Sequence, residues 1–382
     1  MRFDYHKDWK NISLLEIVEK VSRKVDENSN APIRMISYGN GFILQSDKYS
    51  RNNAGQSLKN YTLLKRGEMA YNHGASKNKP YGVCYALTES EEARVPFVYH
   101  TFKFTRGLYK FWNYALNLNQ IDKQLKKLVS SGARMDGLLN ISYEDYTSIK
   151  INEPSLPEQQ KIVEFLSKID ERIETQSKII GNLESLIKGI RQRIFSASNF
   201  DIRNSKEHEL GSFLSEYSKK NIENNLISVS VGKYGIRRRD EIYSKELSDD
   251  YSKNKVIEKD SLIIGMGSTQ IDIGILSKDE KYCVSPAYTT YKISGINSDY
   301  LREYLIHLNS LLSKRYMVIG ARQGKSVNKS ELMQHVLLVH SIEKQLQVVD
   351  IFNAFYYKLQ KEKDILSLYK KQKAYLLSNM FI

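Results

Sequence analysis

The chain is short of the features that mark most enzymes and most exported proteins. Its 382 residues include two cysteines, Cys84 and Cys283, which give neither metal-ligand spacing nor a disulfide framework. Both read as small buried residues, and that usage points to a reducing cytoplasm. The Asn-x-Ser/Thr triplets, such as Asn60-Tyr61-Thr62, then carry no glycosylation meaning. No run of about 18 apolar residues occurs, so no membrane span is expected. The opening residues Met1-Arg2-Phe3-Asp4-Tyr5-His6-Lys7 lack an apolar core and are not expected to act as a signal peptide. No glycine-rich dinucleotide fingerprint opens a helix. The histidines, among them His6, His73, His100 and His208, are scattered, and the acid pairs Glu91-Glu92 and Asp249-Asp250 sit in charged stretches. No nucleophile has an evident base. These absences favour a binding subunit over a catalyst.

Acidic residues are also in the minority: 58 Lys and Arg oppose 44 Asp and Glu, for a formal charge of +14. Such a field favours acidic partners, chiefly nucleic acid or an anionic membrane surface. Hydrophobic residues make up 41% of the chain, enough for real cores in two or three domains.

What the chain does have is an internal repeat. Gly132-Ala133-Arg134, then Ser155-Leu156-Pro157-Glu158-Gln159 and a long periodic stretch, recur as Gly320-Ala321-Arg322, Ser341-Ile342-Glu343-Lys344-Gln345 and a second such stretch. The period is too long for a solenoid and predicts two copies of a domain, each ending in a long helix. In the first stretch Ile162, Leu166, Ile169, Ile173, Gln176, Ile180, Leu183, Ile187, Ile190 and Ile194 follow 4-3 spacing, with Gln176 the one polar member. An offset of 186 residues gives Val348, Phe352, Phe355, Leu359, Glu362, Leu366, Tyr369, Lys373, Leu376 and Met380, with the polar break at the same step and Lys373 as a further polar member. Sustained 4-3 spacing predicts a coiled-coil seam. Ser155 and Ser341 are candidate N-caps, and Glu158 completes a capping box in the first copy. Two related halves on a two-fold axis would set the helices antiparallel; the competing arrangement packs each helix on its own domain.

The predicted fold class is α+β: two similar globular domains separated by two long helices forming an antiparallel coiled coil. The segments run 1–153, 154–199, 200–339 and 340–382. Strands are expected at 34–38, 95–100, 226–231, 261–265 and 287–291, and helices at 13–25, 107–129 and 298–313. Outside the helices the halves align weakly. Leu63-Leu64-Lys65-Arg66-Gly67-Glu68-Met69-Ala70-Tyr71 resembles Val256-Ile257-Glu258-Lys259-Asp260-Ser261-Leu262-Ile263-Ile264. What the copies share should do a job done twice, and what differs a job done differently.

Several motifs fit contact with nucleic acid. Gly320-Ala321-Arg322-Gln323-Gly324-Lys325-Ser326 imitates a phosphate loop but is one residue short, and its counterpart lacks the lysine. It reads better as a turn offering Arg322 and Lys325, and Arg134 in the first copy, to phosphate; a plain domain-closing turn is the alternative. Lys233, Arg237, Arg238 and Arg239 form the densest basic cluster, and arginine can fork onto guanine or phosphate. In the first half Asn72, Lys77 and Lys79 lie in a polar loop that aligns with Gly265 to Gln270, where Gln270 is the base-pairing candidate. Solvated charge or an ordinary hairpin loop competes with each of these readings.

The whole arrangement resembles the specificity subunit of a type I restriction–modification enzyme. Carrying the resemblance are Gly132-Ala133-Arg134, Asn140-Ile141-Ser142-Tyr143-Glu144-Asp145-Tyr146, Pro157-Glu158-Gln159-Gln160-Lys161-Ile162-Val163 with the helix to Phe195, and Val284-Ser285-Pro286-Ala287-Tyr288 with the distal helix. The distal copy departs from it, with Glu343-Lys344-Gln345 in place of Pro157-Glu158-Gln159. The resemblance implies a non-catalytic DNA-recognition subunit. Each half would read one part of a bipartite duplex target while the helices set the gap. Two methylation subunits would dock on the chain and restriction subunits would join them. S-adenosylmethionine, ATP and magnesium would belong to those partners, with none held here. A coiled-coil scaffold with incidental basic charge is the alternative from another class, and a self-contained nuclease or methyltransferase a third.

Overall fold

The computed structural model describes residues 9–26, 29–48, 60–76, 79–129, 138–196, 205–232, 235–243, 248, 250–319 and 325–381. They fall into two compact units. The first joins Met1–Ser177 to Ile365–Ile382, and the second is Lys178–Asp364. The division passes through both long helices, the central helix Leu156–Ile194 and the distal helix Ile342–Met380, each of 39 residues. Its two breaks, after Ser177 and after Asp364, are 187 residues apart, one step from the offset of the repeat. The sequence boundaries at 153, 199 and 339 mark changes of composition, whereas the compact units follow the cores. A single helix has no core of its own and buries its apolar stripe against whatever it reaches.

That burial explains the 4-3 pattern. In the first unit Ile162, Leu166 and Ile169 are buried with Phe111, Trp112 and Tyr146, and Ile173 and Leu376 pack against the same cluster. In the second unit Ile187 and Phe352 are buried with Tyr300 and Tyr304, with Phe355 and Leu359 packed on them. Ile180 and Leu183 are buried, as is the polar break Gln176, while Leu366 is half-buried. Each unit therefore holds a piece of each long helix, both set against one domain.

Polar contacts fix the direction of the helices within the second unit. Lys363 Nζ lies 2.9 Å from Glu184 Oε1, and Arg191 Nη2 donates to Tyr356 Oη at 2.9 Å. Seven residues forward on the central helix match seven back on the distal one, so these segments run antiparallel. In the first unit Lys373, the extra polar seam member, pairs with Asp170, which also accepts a 2.7 Å bond from Tyr114 Oη.

Most strands of the two globular parts correspond, although the pair Met317–Ile319 and Lys325–Val327 of the second unit has no counterpart among the described residues of the first. A four-stranded antiparallel sheet runs Val18–Lys20, His100–Phe104, Met69–Asn72, Val83–Ala86 in the first unit and Leu214–Tyr217, Thr289–Ile293, Ser261–Met266, Ile271–Leu276 in the second. Ahead of each long helix a strand pairs with one near the domain's start, Lys150–Glu153 with Lys10–Ser13 and Val336–His340 with Ser205–Glu209. The hairpin of Arg34–Ser37 and Gly41–Leu44 corresponds to that of Ser228–Gly232 and Gly235–Arg238. Both hairpins join a neighbouring antiparallel pair in parallel, by the Ile33–Arg94 bridge in one unit and by Ser228–Cys283 and Val229–Val284 in the other.

The weak alignment of Leu63–Tyr71 with Val256–Ile264 falls on equivalent strands and on the turn between them. Gly67 and Asp260 occupy the same place there, with φ of 86° and 61°. Glycine takes this region freely; aspartate is among the few side chains that tolerate it. Asp260 is held by Ser298, whose Oγ donates to its carboxylate at 2.7 Å.

Three expectations change. Leu14, Ile17, Val18 and Val21 have helical spacing, yet Leu14–Ile17 is one 3-10 turn and Val18–Lys20 a strand, because Val18 to Lys20 pairs with Phe102 to Phe104. The stretch 95–100 is a turn between Glu92–Val95 and His100–Phe104. The stretch 107–129 is two helices, Tyr109–Ala115 and Asn119–Leu128. Cys84 and Cys283 are free and buried, and burial pushes the Cys84 thiol up to about 12.

Candidate nucleic-acid interface

In the first unit, the loop that follows Met69–Asn72 is tied to the segment that follows Gly132-Ala133-Arg134. Asn72 Oδ1 accepts from Gly74 N at 3.0 Å, turning the loop back on itself. His73 Nδ1–H donates to Leu139 O at 2.8 Å, and Leu139 N returns a 2.9 Å bond to His73 O. Since a carbonyl only accepts, these bonds fix the proton on Nδ1 of His73 and, through a 2.8 Å bond to Ile141 O, on Nε2 of His100. The two rings lie 4.9 Å apart, beside Tyr71. Burial lowers the pKa of His100, with His73 and Lys20 adding to the effect against Ile141 and Glu144. Scattered in sequence, these histidines are placed together by strand pairing.

Lys79 is a correction. It is 6% exposed, and its Nζ donates to Asp122 Oδ2 and to Asn117 O, both at 2.8 Å. The ammonium braces the loop to the helix Asn119–Leu128 and is not presented to a ligand. Lys77, Arg134, Lys233 and Arg322 lie outside the described residues.

In the second unit the equivalent loop meets the equivalent segment. Lys325 Nζ bonds to Ser268 O, in the turn that leads to Gln270. Gln270 lines a groove of about 1420 Å³ together with Arg237 and Arg238, so candidates from two separate stretches of sequence share one concavity. Gly274 makes this possible. A Cβ there would sit 2.7 Å from Ile236 and 2.9 Å from Val231, so the arginine-bearing hairpin could not lie on strand Ile271–Leu276. The groove is lined by six lysines and arginines against three carboxylates. Lys188, Lys278, Arg302 and Lys363 complete that basic lining, and no sequence motif marks them.

The three hairpin arginines differ in their surroundings. Arg237 is exposed on strand Gly235–Arg238, opposite Ser230. Arg238 forks onto Asp240, with Nε donating to Oδ1 at 3.1 Å and Nη2 to Oδ2 at 2.6 Å. That pairing raises the Arg238 pKa and lowers the Asp240 pKa. Arg239 is turned back on the sheet, donating to Ser230 Oγ at 3.2 Å and lying 5.0 Å from the centre of the Tyr243 ring.

A buried polar cluster adjoins the groove. Glu303, fully buried, accepts from Arg191 Nε at 3.0 Å and Nη2 at 2.8 Å, from Tyr356 Oη at 3.0 Å and from Arg302 Nε at 3.2 Å. Burial, then Glu303, pushes the Tyr356 hydroxyl up to about 12. The cluster links the central helix, the distal helix and the helix Ser298–Tyr316. A shallow depression in the first unit is lined by Asp26, Glu91 and Glu92 together with Lys65 and Arg66, and Arg66 pairs with Glu91. Among the described residues no group of three or more His, Cys, Asp or Glu side chains could hold a metal ion, and no helix is long and apolar enough to cross a membrane.

Comparison with known proteins bears on this geometry. Residues 101–185 match the Type I restriction modification DNA specificity domain family. The chain is 24% identical over 187 residues to the Type I restriction enzyme HindI specificity subunit of Haemophilus influenzae, a match covering 48% of this chain and 40% of that protein. A chain from a study of complex assembly and conformational transition of the type I R-M system superposes with a TM-score of 0.58 at 15% identity, covering 100% of this chain and 99% of that one. The type I restriction-modification S subunit from M. genitalium gives 0.55 at 15% identity, covering 100% and 98%. At that identity the two structures establish the fold.

Proposed function

We propose that this chain, which carries a match to the DNA specificity domain within a fold shared over its whole length, is a type I restriction–modification specificity subunit, and that each of its two units reads one part of a split duplex DNA target. The observation that carries this reading is the contrast between the units. Their strands follow one order, yet their candidate contact residues are unrelated: Asn72 stands in one, and Gln270 with Arg237 and Arg238 in the other. A repeated frame with different side chains suits two readers of different sequence.

The two continuous helices supply the spacer. Each is about 58 Å long at 1.5 Å per residue, and half-site separation follows the rigid distance between readers. Asn72, Gln270 and Arg238 would face base edges, while Arg237, Lys325 and the groove lysines would hold phosphate. Methylation and restriction subunits would supply the chemistry, together with S-adenosylmethionine, ATP and magnesium. This chain would contribute recognition without catalysis, in the cytoplasm where such DNA lies. The test is retention of duplex DNA by the chain with a methylation subunit across a salt series. Steeply salt-dependent retention supports the reading; salt-insensitive assembly with other proteins and no DNA retention would favour a scaffold.

A further inference from the structure

The geometry points to Arg238 as the side chain that reads a guanine for the second unit, with Asp240 as its positioning residue; this rests on the DNA-reading function proposed above. A guanidinium has two edges able to fork. Asp240 takes the side edge, through Nε and Nη2. The end edge, Nη1 with the remaining hydrogen of Nη2, keeps the spacing that matches guanine O6 and N7. An arginine held in this way presents its fork with little rotamer freedom left to lose on binding.

The neighbours are suited to other roles. Arg239 spends Nη1 on Ser230 and its face on Tyr243, so its end edge is already engaged. Arg237 stands on the opposite face of the strand, across from Ser230, whereas Arg238 stands across from Val229. Arg238 remains 43% exposed and Asp240 47%, so the pair is open to a ligand. Arg238 also shares the groove with Gln270, whose amide suits adenine. Asp240 has a second consequence: as a fixed carboxylate beside the fork, it disfavours use of Arg238 as a plain phosphate clamp.

The test uses the full chain in complex with its methylation subunits and a duplex carrying the sequence they methylate. Each guanine is replaced in turn by 7-deazaguanine, which removes the N7 acceptor and leaves base pairing intact. The wild-type complex is expected to lose affinity about fivefold or more at one guanine of one half-site. In Arg238→Ala that penalty should vanish, with every other position unchanged. In Asp240→Asn the complex should still bind DNA with an unaltered salt slope while the same penalty shrinks. Penalties identical in wild type and Arg238→Ala would overturn the assignment, as would an Arg238→Ala effect seen only as a shallower salt slope, the mark of a phosphate contact. A wild-type complex that retains no duplex at all would remove the proposed function and this assignment together.

Discussion

Gln159 and Gln345, each in the first turn of a long helix, make the same pair of hydrogen bonds in the two units. Gln159 Oε1 accepts from Leu108 N at 2.9 Å, and its Nε2 donates to Pro154 O at 3.0 Å. Gln345 Oε1 accepts from Asn297 N and its Nε2 donates to His340 O, both at 2.9 Å. Leu108 and Asn297 are the N-caps of equivalent domain helices, so each glutamine locks a long helix to a domain helix and to the strand before it. Both are almost fully buried, at 1% and 3% exposure, which makes an unmade bond costly.

Replacing Gln159 by leucine therefore strands a buried amide and a buried carbonyl. We expect a loss of about 2–4 kcal/mol from the first unit, read as a lower melting transition, with the second unit unaffected. Gln345→Leu should do the reverse. Equal destabilisation of both units by either change would contradict the equivalence.

Counting six residues on from those N-caps reaches Tyr114 in one unit and Glu303 in the other, and the repeat offset carries Asp170 to Tyr356. Tyr114 donates to Asp170, and Tyr356 donates to Glu303: one contact with acid and phenol exchanged. Lys373 completes the first cluster and Arg191 the second. Without Arg191 the buried Glu303 keeps only Arg302 and Tyr356 among the partners named above, so Arg191→Met should cost about 3 kcal/mol, the low end for a broken buried pair. Adding Glu303→Leu should restore much of that loss. A double variant as unstable as the sum of its parts would show that the two side chains act independently.

Lys79 and Arg237 should behave oppositely. Lys79→Met breaks a buried pair with Asp122 and should cost the first unit about 3 kcal/mol, leaving the salt dependence of DNA retention unchanged. Arg237→Ala should leave the melting transition in place and weaken retention; if it contacts phosphate, the slope of log affinity against log salt should fall by about one. Thermal melts and salt titrations on both variants separate the roles.

Acid should loosen the first unit through His100. Burial holds its pKa below the unfolded value of about 6.5, so the unfolded chain binds the proton first as pH drops. The stability from its neutral ring is complete above about pH 6.5 and is lost as pH falls toward the folded pKa. Lys20 and His73 oppose a charge here, while Glu144 and Ile141 O favour one. His307 and His335 are also lowered by burial and add a loss of the same sign in the second unit. Melting at pH 7.5 and pH 5.5 checks this: His100→Gln should narrow the difference for the first unit, and an unchanged difference would rule out the histidine as its source.

The frame was more legible in the sequence than the site. The 4-3 spacing survives because it is local, and each predicted seam position on the central helix from Ile162 to Ile169 is buried. The Gly67–Asp260 turn was visible in the alignment because both strands beside it are shared. The His73–Leu139 contact depends on strand register closing a 66-residue separation, which no local pattern reports. Lys79 looked like an exposed loop cation; its partner Asp122 stands on a helix 43 residues away. The groove unites Arg237, Arg238 and Gln270 only because Gly274 lets one strand lie close on another.

The long helices are proposed to set the distance between the two readers. The most direct test is to insert one heptad into both helices, after Ser177 and after Asp364, and to map adenine methylation in a host carrying the variant with its partner subunits. Both half-sites should keep their sequence while the gap lengthens, by no more than about three base pairs given a heptad rise of about 10 Å. Methylation at the original spacing would contradict that role of the helices.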